Sequence, residues 1–137
     1  MSLQHKYRVL LVDDYVPVRS ITLRSMLSDY GDLHIVGEAC DGKQAIEQVA
    51  ICEPDIILMD YSMPNMNGVE AARQIKKSWR DKLIIGLCTV PDSHITDGFL
   101  EAGALAVIVK DRIEHLHSTI QQVLPNRALT DSLIVQQ

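Results

Sequence analysis

The sequence predicts an α/β fold in which five βα units form a doubly wound parallel sheet, covered by helices on both faces in three layers. Five short apolar runs rich in Val, Ile and Leu alternate with stretches of helical spacing. Strands that are separated by helices pair in parallel, and right-handed crossovers distribute the helices over both faces of the sheet. A closed barrel would need more units of this kind.

The predicted strands are short runs rich in Val, Ile and Leu, which is typical of strands buried on both faces. They are Tyr7–Val12, His34–Ala39, Ile56–Met59, Leu83–Cys88 and Leu105–Val109. In an open parallel sheet the functional site lies outside the carboxyl ends of the strands, near the point where the strand order reverses. The residues that directly follow each apolar run are therefore the candidates for a site.

The helices are predicted from apolar residues that recur at helical spacing. This spacing links Leu23, Met26, Leu27 and Tyr30 in the first interval, and Ile113, Leu116, Ile120 and Leu124 after the last strand. Further helices are expected at Lys43–Ile51, Val69–Trp79 and Asp92–Glu101, with Asn67-Gly68 and Pro91 as start signals. His117 falls on the apolar face of the last helix, so we expect a packed side chain rather than a phosphocarrier.

Length and charge limit the classes of function. The chain has 137 residues, enough for one domain with a single core but too few for a second domain. We expect residues 1–124 to form this domain and residues 125–137 to be a tail or the start of a linker. Thirteen Lys and Arg against eighteen Asp and Glu give a net charge of −5, the wrong sign for holding nucleic acid directly.

Other features predict a cytoplasmic location without membrane contact. No segment approaches the ~20 apolar residues of a membrane-spanning helix, and the N-terminus lacks the apolar stretch of a signal peptide. Cys40, Cys52 and Cys88 form no CxxC pair and leave an odd count, so we predict buried thiols in a reducing compartment. The five histidines contain no i, i+4 pair that would favour a histidine metal site.

Residues of complementary chemistry follow four of the five predicted strands. Asp13 and Asp14 come after the first strand, and Asp60, Thr89 and Lys110 come after the third, fourth and fifth. Because these strand ends meet at one edge of the sheet, we expect the side chains to converge. Three ionised carboxylates repel one another unless a cation neutralises them, and a ligand set made only of oxygen favours a hard ion such as Mg²⁺.

The same residues predict phosphoryl chemistry at Asp60. Mg²⁺ sites commonly combine a few carboxylates with phosphate oxygens, and a carboxylate can act as the nucleophile in phosphoryl transfer. Lys110 supplies a positive charge for Asp60 at rest and for a phosphoryl oxygen afterwards. The Thr89 hydroxyl can donate a hydrogen bond to the same group.

Each of these residues also has a purely structural interpretation. An Asp-Asp pair after a strand is commonly the cap of the next helix, and Asp60 alone could be a turn residue ahead of Pro64 and Gly68. A lone Thr or Lys at a strand end is more often structural than functional. Four strand ends that deliver complementary residues to one location nevertheless favour a single functional site.

The motifs that carry these residues resemble the receiver domains of two-component response regulators, over about residues 7–124. The similar segments are Val9-Leu-Leu-Val-Asp-Asp14, the stretch from Pro54 through Met59-Asp-Tyr-Ser62 to Gly68, Thr89, and Ala102-Gly-Ala104 leading to Lys110. The resemblance implies a flavodoxin-like (βα)₅ sheet of order 2-1-3-4-5 with Asp60 as the phosphorylation site. It also implies Mg²⁺ bound by Asp13, Asp14, Asp60 and the backbone carbonyl of Ser62, with Thr89 and Lys110 sensing and holding the phosphoryl group.

Three further segments look more like the receivers that precede a helix-turn-helix DNA-binding domain. They are Val18-Arg19, Ile35-Val-Gly-Glu-Ala-Cys-Asp-Gly42 and Gly68-Val-Glu-Ala71. This similarity implies a sensor histidine kinase as a partner, a downstream effector domain that is absent from this chain, and transcription as the regulated output. The receiver itself would not contact DNA. A homodimer is compatible with the resemblance, although no dimer face can be assigned from the sequence.

The sequence departs from the family pattern at the residues that usually report phosphorylation. An aromatic residue is usual two or three positions before the lysine, whereas this chain has Val107. Val90 stands where a small residue usually follows the hydroxyl residue, and Pro91 stiffens the loop that comes next. We therefore expect the chemistry to survive with a weakened readout, in which phosphorylation leaves the surface of the fourth helix and fifth strand little changed.

Three functions compete on these observations. The leading one is a switch that accepts a phosphoryl group from a histidine kinase or a small phosphodonor, with no enzymatic activity beyond its own phosphotransfer and autodephosphorylation. The alternative, motivated by Val107, is a protein-binding module that keeps the fold but signals without phosphate. An aspartyl phosphohydrolase ranks well behind, because the chain shows no insertion that could form a substrate cap.

Overall fold

The computed structural model describes residues 7–16 and 21–123, which form a five-stranded parallel sheet with helices on both faces. The strand order is β2-β1-β3-β4-β5. The strands are β1 (Tyr7–Val12), β2 (Leu33–Ala39), β3 (Ile56–Asp60), β4 (Leu83–Cys88) and β5 (Ala106–Val109). The predicted fold class and strand order are confirmed. Some of the predictions concern residues outside the described ranges, namely Leu124, the Val18-Arg19 pair and the expected tail at 125–137.

Helices follow each strand, and polar side chains mark where three of them begin. The helices are α1 (Arg24–Ser28), α2 (Gly42–Cys52), α3 (Gly68–Ser78) and α4 (Ser93–Ala102). After β5 a 3₁₀ helix (Lys110–His115) leads into α5, which is helical over 116–123. Asp41, Asn67 and Asp92 cap α2, α3 and α4 by accepting hydrogen bonds from backbone N–H groups of the first turn. None of the helices in the described ranges has the length and apolar content needed to cross a bilayer.

Two details of the predicted helices differ in the structure. The first helix ends at Ser28, so Tyr30 lies beyond it instead of on its apolar face. There the Tyr30 ring stacks on His117 of α5, with ring centroids 3.4 Å apart, a contact that links elements far apart in sequence. The expected packing of His117 is thus confirmed. The start signal for α4 is Asp92 rather than Pro91, because the Asp92 carboxylate accepts from the first turn.

The core lies on both faces of the sheet because side chains alternate along each strand. Val9 and Leu11 of β1 pack toward α1 and α5, whereas Leu10 and Val12 pack toward α2, α3 and α4. The expectation of three buried thiols is correct only for Cys88, since Cys40, just before α2, and Cys52, the last residue of α2, are half-buried. Both faces of the central strands are closed to solvent, so polar side chains can collect only at the strand ends.

Candidate functional site

The pairing of the strands places the acidic and hydroxyl residues at one edge of the sheet. In the β1 and β3 pair Val12 lies opposite Met59, so Asp13 and Asp60 occupy neighbouring positions at the strand ends. In the β4 and β5 pair Cys88 lies opposite Val109. The next residues along these two strands are Thr89 and Lys110, which therefore extend from the same edge as the two carboxylates.

The carboxylates of this edge are crowded around one cation. Asp13 is fully buried and Asp60 is 2% exposed, while Asp14 is open to solvent. Carboxylate oxygens of the three residues lie within 4.8 Å of one another. The Lys110 Nζ atom is 2.7 Å from Asp13 Oδ2 and 3.0 Å from Asp60 Oδ1. A single ammonium group thus holds two buried carboxylates together.

Burial and charge act on the protonation of this cluster. Burial, followed by repulsion from Asp13, raises the pKa of Asp60 to about 6, although the Lys110 ammonium acts in the opposite direction. Burial by itself would lower the pKa of Lys110, but its hydrogen bonds to Asp13 and Asp60 outweigh burial and raise the pKa above its usual value. Lys110 is therefore charged at neutral pH. Asp60 is also ionised at neutral pH, but the difference between its pKa and that pH is smaller than for an ordinary Asp.

The acidic cluster has the donor set of a site for a hard divalent cation. Its ligands are all carboxylate oxygens, one per residue from Asp13, Asp14 and Asp60, and they lie close enough to bind one ion. No thiolate or imidazole belongs to the cluster among the described residues. The excess of negative charge over the one ammonium of Lys110 favours a second cation beside it. The cluster could thus hold a metal ion as the sequence predicts.

A cavity of about 250 Å³ opens beside Asp60. Its lining includes the exposed residues Ser62, Thr89 and Val90, together with Tyr61 and Ile95. The cavity provides space in front of the Asp60 carboxylate, and the hydroxyl-bearing Thr89 forms part of its wall. The predicted use of the Ser62 carbonyl as a ligand stays a prediction.

The backbone at Asp60 is held by two neighbouring elements. The Tyr61 N–H donates to the Leu87 carbonyl of β4 at 2.9 Å, and the Gly68 N–H donates to the Tyr61 carbonyl at 2.8 Å. A Cβ atom at Gly68 would collide with the Asp60 carbonyl oxygen, so only glycine permits this approach of α3 to β3. The sequence identified Gly68 only as a helix start and missed this function. The Asn-Gly pair after Asp60 was the available signal.

The sequence also did not predict the contact between Lys110 and Asp13. Lys110 was expected to pair with Asp60, whereas its shorter contact is with Asp13. The second oxygen of Asp13 accepts a hydrogen bond from the Tyr15 N–H at 2.9 Å. Which of the two buried carboxylates lies closer to Lys110 is decided by a difference of tenths of an ångström. A sequence pattern does not predict distances of that size.

Comparison with known proteins identifies the class to which this fold and site belong. Residues 9–121 match the family described as response regulator receiver domain. The chain therefore belongs to the response regulator receiver domain family, whose members are the phosphoacceptor signalling modules of two-component systems.

One relative is a longer protein that contains a similar segment. The transcriptional regulatory protein LiaR of Bacillus subtilis (strain 168) is 39% identical over 103 residues, which are 75% of this chain and 48% of LiaR. The chain thus spans about half the length of this relative.

Solved structures of receivers superpose closely on this fold. The response regulator domain of Thermotoga maritima CheB has a TM-score of 0.80 at 32% identity, covering 86% of this chain and 96% of that one. A two-component response regulator of the LuxR family from Aurantimonas sp. SI85-9A1 has a TM-score of 0.84 at 28% identity, covering 89% and 87%. The resemblance predicted from the motifs is confirmed.

Proposed function

We propose that this chain is a Mg²⁺-dependent phosphoacceptor switch in which Asp60 receives the phosphoryl group. The observation that carries the proposal is a buried carboxylate, Asp60, that contacts the Lys110 ammonium and opens onto a cavity beside two further carboxylates. A nucleophile, a cation and a metal-binding cluster in one place supply what phosphoryl transfer requires.

The transfer step involves one bond formed and one bond broken at phosphorus. A carboxylate oxygen of Asp60 attacks the phosphorus of the donor, and the bond from phosphorus to the leaving nitrogen or oxygen breaks. The leaving atom keeps the electron pair and takes up a proton, while Asp60 becomes an acyl phosphate. Attack of water on the same phosphorus later returns the carboxylate and releases inorganic phosphate. A bound Mg²⁺ ion would neutralise the carboxylates and withdraw charge from the phosphoryl oxygens.

The roles of the remaining residues follow from charge and position. Asp13 and Asp14, with the Ser62 carbonyl, would complete the ligand set that Asp60 begins. The Lys110 ammonium would exchange part of its contact with Asp60 for a phosphoryl oxygen, and the Thr89 hydroxyl would donate to another. The phosphoryl group thereby favours one of two existing conformations of the loops that carry these residues.

The partners and output of the switch are proposed from the family. A sensor histidine kinase would be the physiological donor, and an effector domain would read the switch in the cytoplasm. The name of the relative LiaR supports transcription as the output. The net charge of −5 supports an arrangement in which another domain contacts DNA. A homodimer would be compatible with this role, and 125–137 would serve as a tail or the start of a linker after the receiver.

The proposal is tested by incubating the protein with Mg²⁺ and phosphoramidate and measuring its intact mass. We expect one added phosphoryl group on the native chain and none on Asp60→Asn. A matched control is Asp55→Asn, since Asp55 lies just before the opposite end of the same strand and should leave labelling intact. Labelling that persists in Asp60→Asn would place the modification elsewhere.

A phosphorylation-independent binding module is the second candidate. It is favoured by the aliphatic side chains of β5, where Val107 occupies the usual aromatic position. An unmodified mass, under conditions that label a control receiver, would select this candidate over the switch.

A further inference from the structure

Tyr61 lines two cavities. One is the cavity of about 250 Å³ beside Asp60, and the other, of about 390 Å³, lies between α3 and α4. Tyr61 and Ile95 line both cavities, whereas Asp60 and Thr89 line only the first and Gly98 lines only the second. Tyr61 is therefore part of the wall that the cavity beside Asp60 shares with the groove along α4.

The backbone of Tyr61 is held in place, whereas its side chain has no polar contact within the described residues. Its backbone is fixed on one side by the hydrogen bond to Leu87 and on the other by the hydrogen bond from Gly68. The Tyr61 hydroxyl makes no hydrogen bond among residues 7–16 and 21–123. Open space on both sides of the ring permits a change of rotamer without overpacking.

The Tyr61 ring contacts the residue that anchors α4 to the sheet. It meets Phe99 edge to face, with ring centroids 6.3 Å apart and planes at 74°. Phe99 is fully buried and lies so close to β4 that a Cβ atom at Gly86 would be 2.6 Å from Phe99 Cδ2. A displacement of Tyr61 therefore acts on the point at which α4 is attached.

Strand β5 offers no comparable movable group. Its residues are Ala106, Val107, Ile108 and Val109, and the β-branched side chains among them have restricted χ1 rotation. Val107 packs against the same apolar cluster that contains Phe99. Strand β5 therefore lacks an aromatic side chain that could change its rotamer when Asp60 is modified, whereas Tyr61 provides one.

We propose that Tyr61 transmits the state of Asp60 to α4 through its contact with Phe99, in place of an aromatic residue on β5. A phosphoryl group on Asp60 fills part of the first cavity and leaves the Tyr61 ring less room there. The open groove between α3 and α4 can accept the displaced ring. This inference rests on the proposed phosphorylation of Asp60, and it replaces the expectation that α4 responds little.

The inference is tested by amide hydrogen exchange over Ser93–Ala102, measured with and without Mg²⁺ and phosphoramidate, alongside the intact mass of each sample. In the native protein we expect phosphorylation to change the exchange rates of α4. In Tyr61→Leu, which keeps an apolar side chain without the ring, the phosphorylation-dependent change should be lost. The mass should still show the added phosphoryl group.

Matched variants separate the ring from its surroundings. Tyr61→Phe keeps the ring and should retain the α4 response, because the hydroxyl has no partner in the described part of the chain. Tyr30→Leu removes a ring that stacks on His117 and should also retain it. Phe99→Leu should lose the response as Tyr61→Leu does, and Val107→Ala should keep it.

The outcomes distinguish this inference from the proposed function. A phosphorylated Tyr61→Leu protein with an unchanged α4 response would overturn the Tyr61 route alone. Loss of the response in Val107→Ala but not in Tyr61→Leu would assign transmission to β5. A native protein that takes up no phosphoryl group would overturn both proposals together.

Discussion

Asp60 lies among charges of both signs, and its protonation links the site to the stability of the fold. In the unfolded chain its pKa has the ordinary value for Asp, whereas in the folded protein burial raises the pKa to about 6. Between these two values the folded state binds more protons than the unfolded state. The free energy of unfolding therefore falls as pH rises from about 4 to about 6. Above that range the destabilisation caused by the ionised Asp60 carboxylate is fully present.

Asp60→Asn should accordingly stabilise the protein in Mg²⁺-free buffer. At pH 7.5 we expect the free energy of unfolding to rise by at most about 3 kcal/mol, since each pKa unit corresponds to about 1.4 kcal/mol. Near pH 4 the difference should shrink, because the native carboxyl is then protonated in the folded state. Urea unfolding at both pH values measures the two differences. A gain of equal size at both would show that ionisation of Asp60 is not its cause.

Lys110→Met should have the opposite effect, because it leaves Asp13 and Asp60 buried without their shared cation. We expect a loss of about 3 kcal/mol in Mg²⁺-free buffer at pH 7.5, as is usual when one partner of a buried ion pair is removed. The loss should be smaller near pH 5, where protonation of Asp60 relieves the repulsion. Lys43→Met is the control, because Lys43 is exposed on α2 and its loss should change stability by less than about 0.5 kcal/mol. Equal losses in the two variants would contradict the ion-pair explanation.

At the scale of elements, the approach of α3 to the end of β3 determines where Asp60 lies. The approach requires glycine at position 68, where a Cβ atom would meet the Asp60 backbone. Asn67, the residue before it, caps α3 by accepting from the Glu70 N–H at 2.9 Å. The Asn-Gly pair thus serves both as a helix start and as a support for the strand that carries Asp60.

Gly68→Ala should therefore damage both the fold and the site. Overpacking against a backbone atom should destabilise the protein by about 3 kcal/mol and slow the phosphorylation of Asp60 by displacing its backbone. Gly31→Ala provides the comparison, because nothing lies within 4 Å of the Cβ position there. Thermal unfolding and the rate of mass labelling measure the two effects. A Gly68→Ala protein as stable and as reactive as Gly31→Ala would show that the close approach is dispensable.

For the whole molecule, a ligand that binds only the folded site should stabilise the entire domain. At a Mg²⁺ concentration of about 100 times its dissociation constant, the free energy of unfolding should rise by about 2.7 kcal/mol. The same ionic strength supplied as NaCl should not reproduce the increase. In Asp13→Asn and in Asp14→Asn the Mg²⁺-dependent increase in the free energy of unfolding should be smaller. Urea unfolding with and without Mg²⁺ measures it. An undiminished increase in the Asp13→Asn, Asp14→Asn double variant would mean that the ion binds elsewhere.

The class of fold and the edge at which the polar residues collect follow from the sequence. Apolar runs such as Ile56–Met59 are local signals, and the ends of buried parallel strands meet at one edge whatever the details of packing. Strand ends alone therefore predict that Asp13, Asp60, Thr89 and Lys110 belong to one site. The family resemblance added the strand order and the expected role of each residue.

Which of these groups touch, and what surrounds them, depends on packing between elements. The shared contact of Lys110 with Asp13 and Asp60 depends on side chains from separate elements, and so does the contact of the Tyr61 ring with Phe99. Periodicity and strand ends are properties of a single segment, whereas these contacts arise from packing between segments far apart in the chain. That is the physical reason why the location of the site could be predicted and its internal geometry could not.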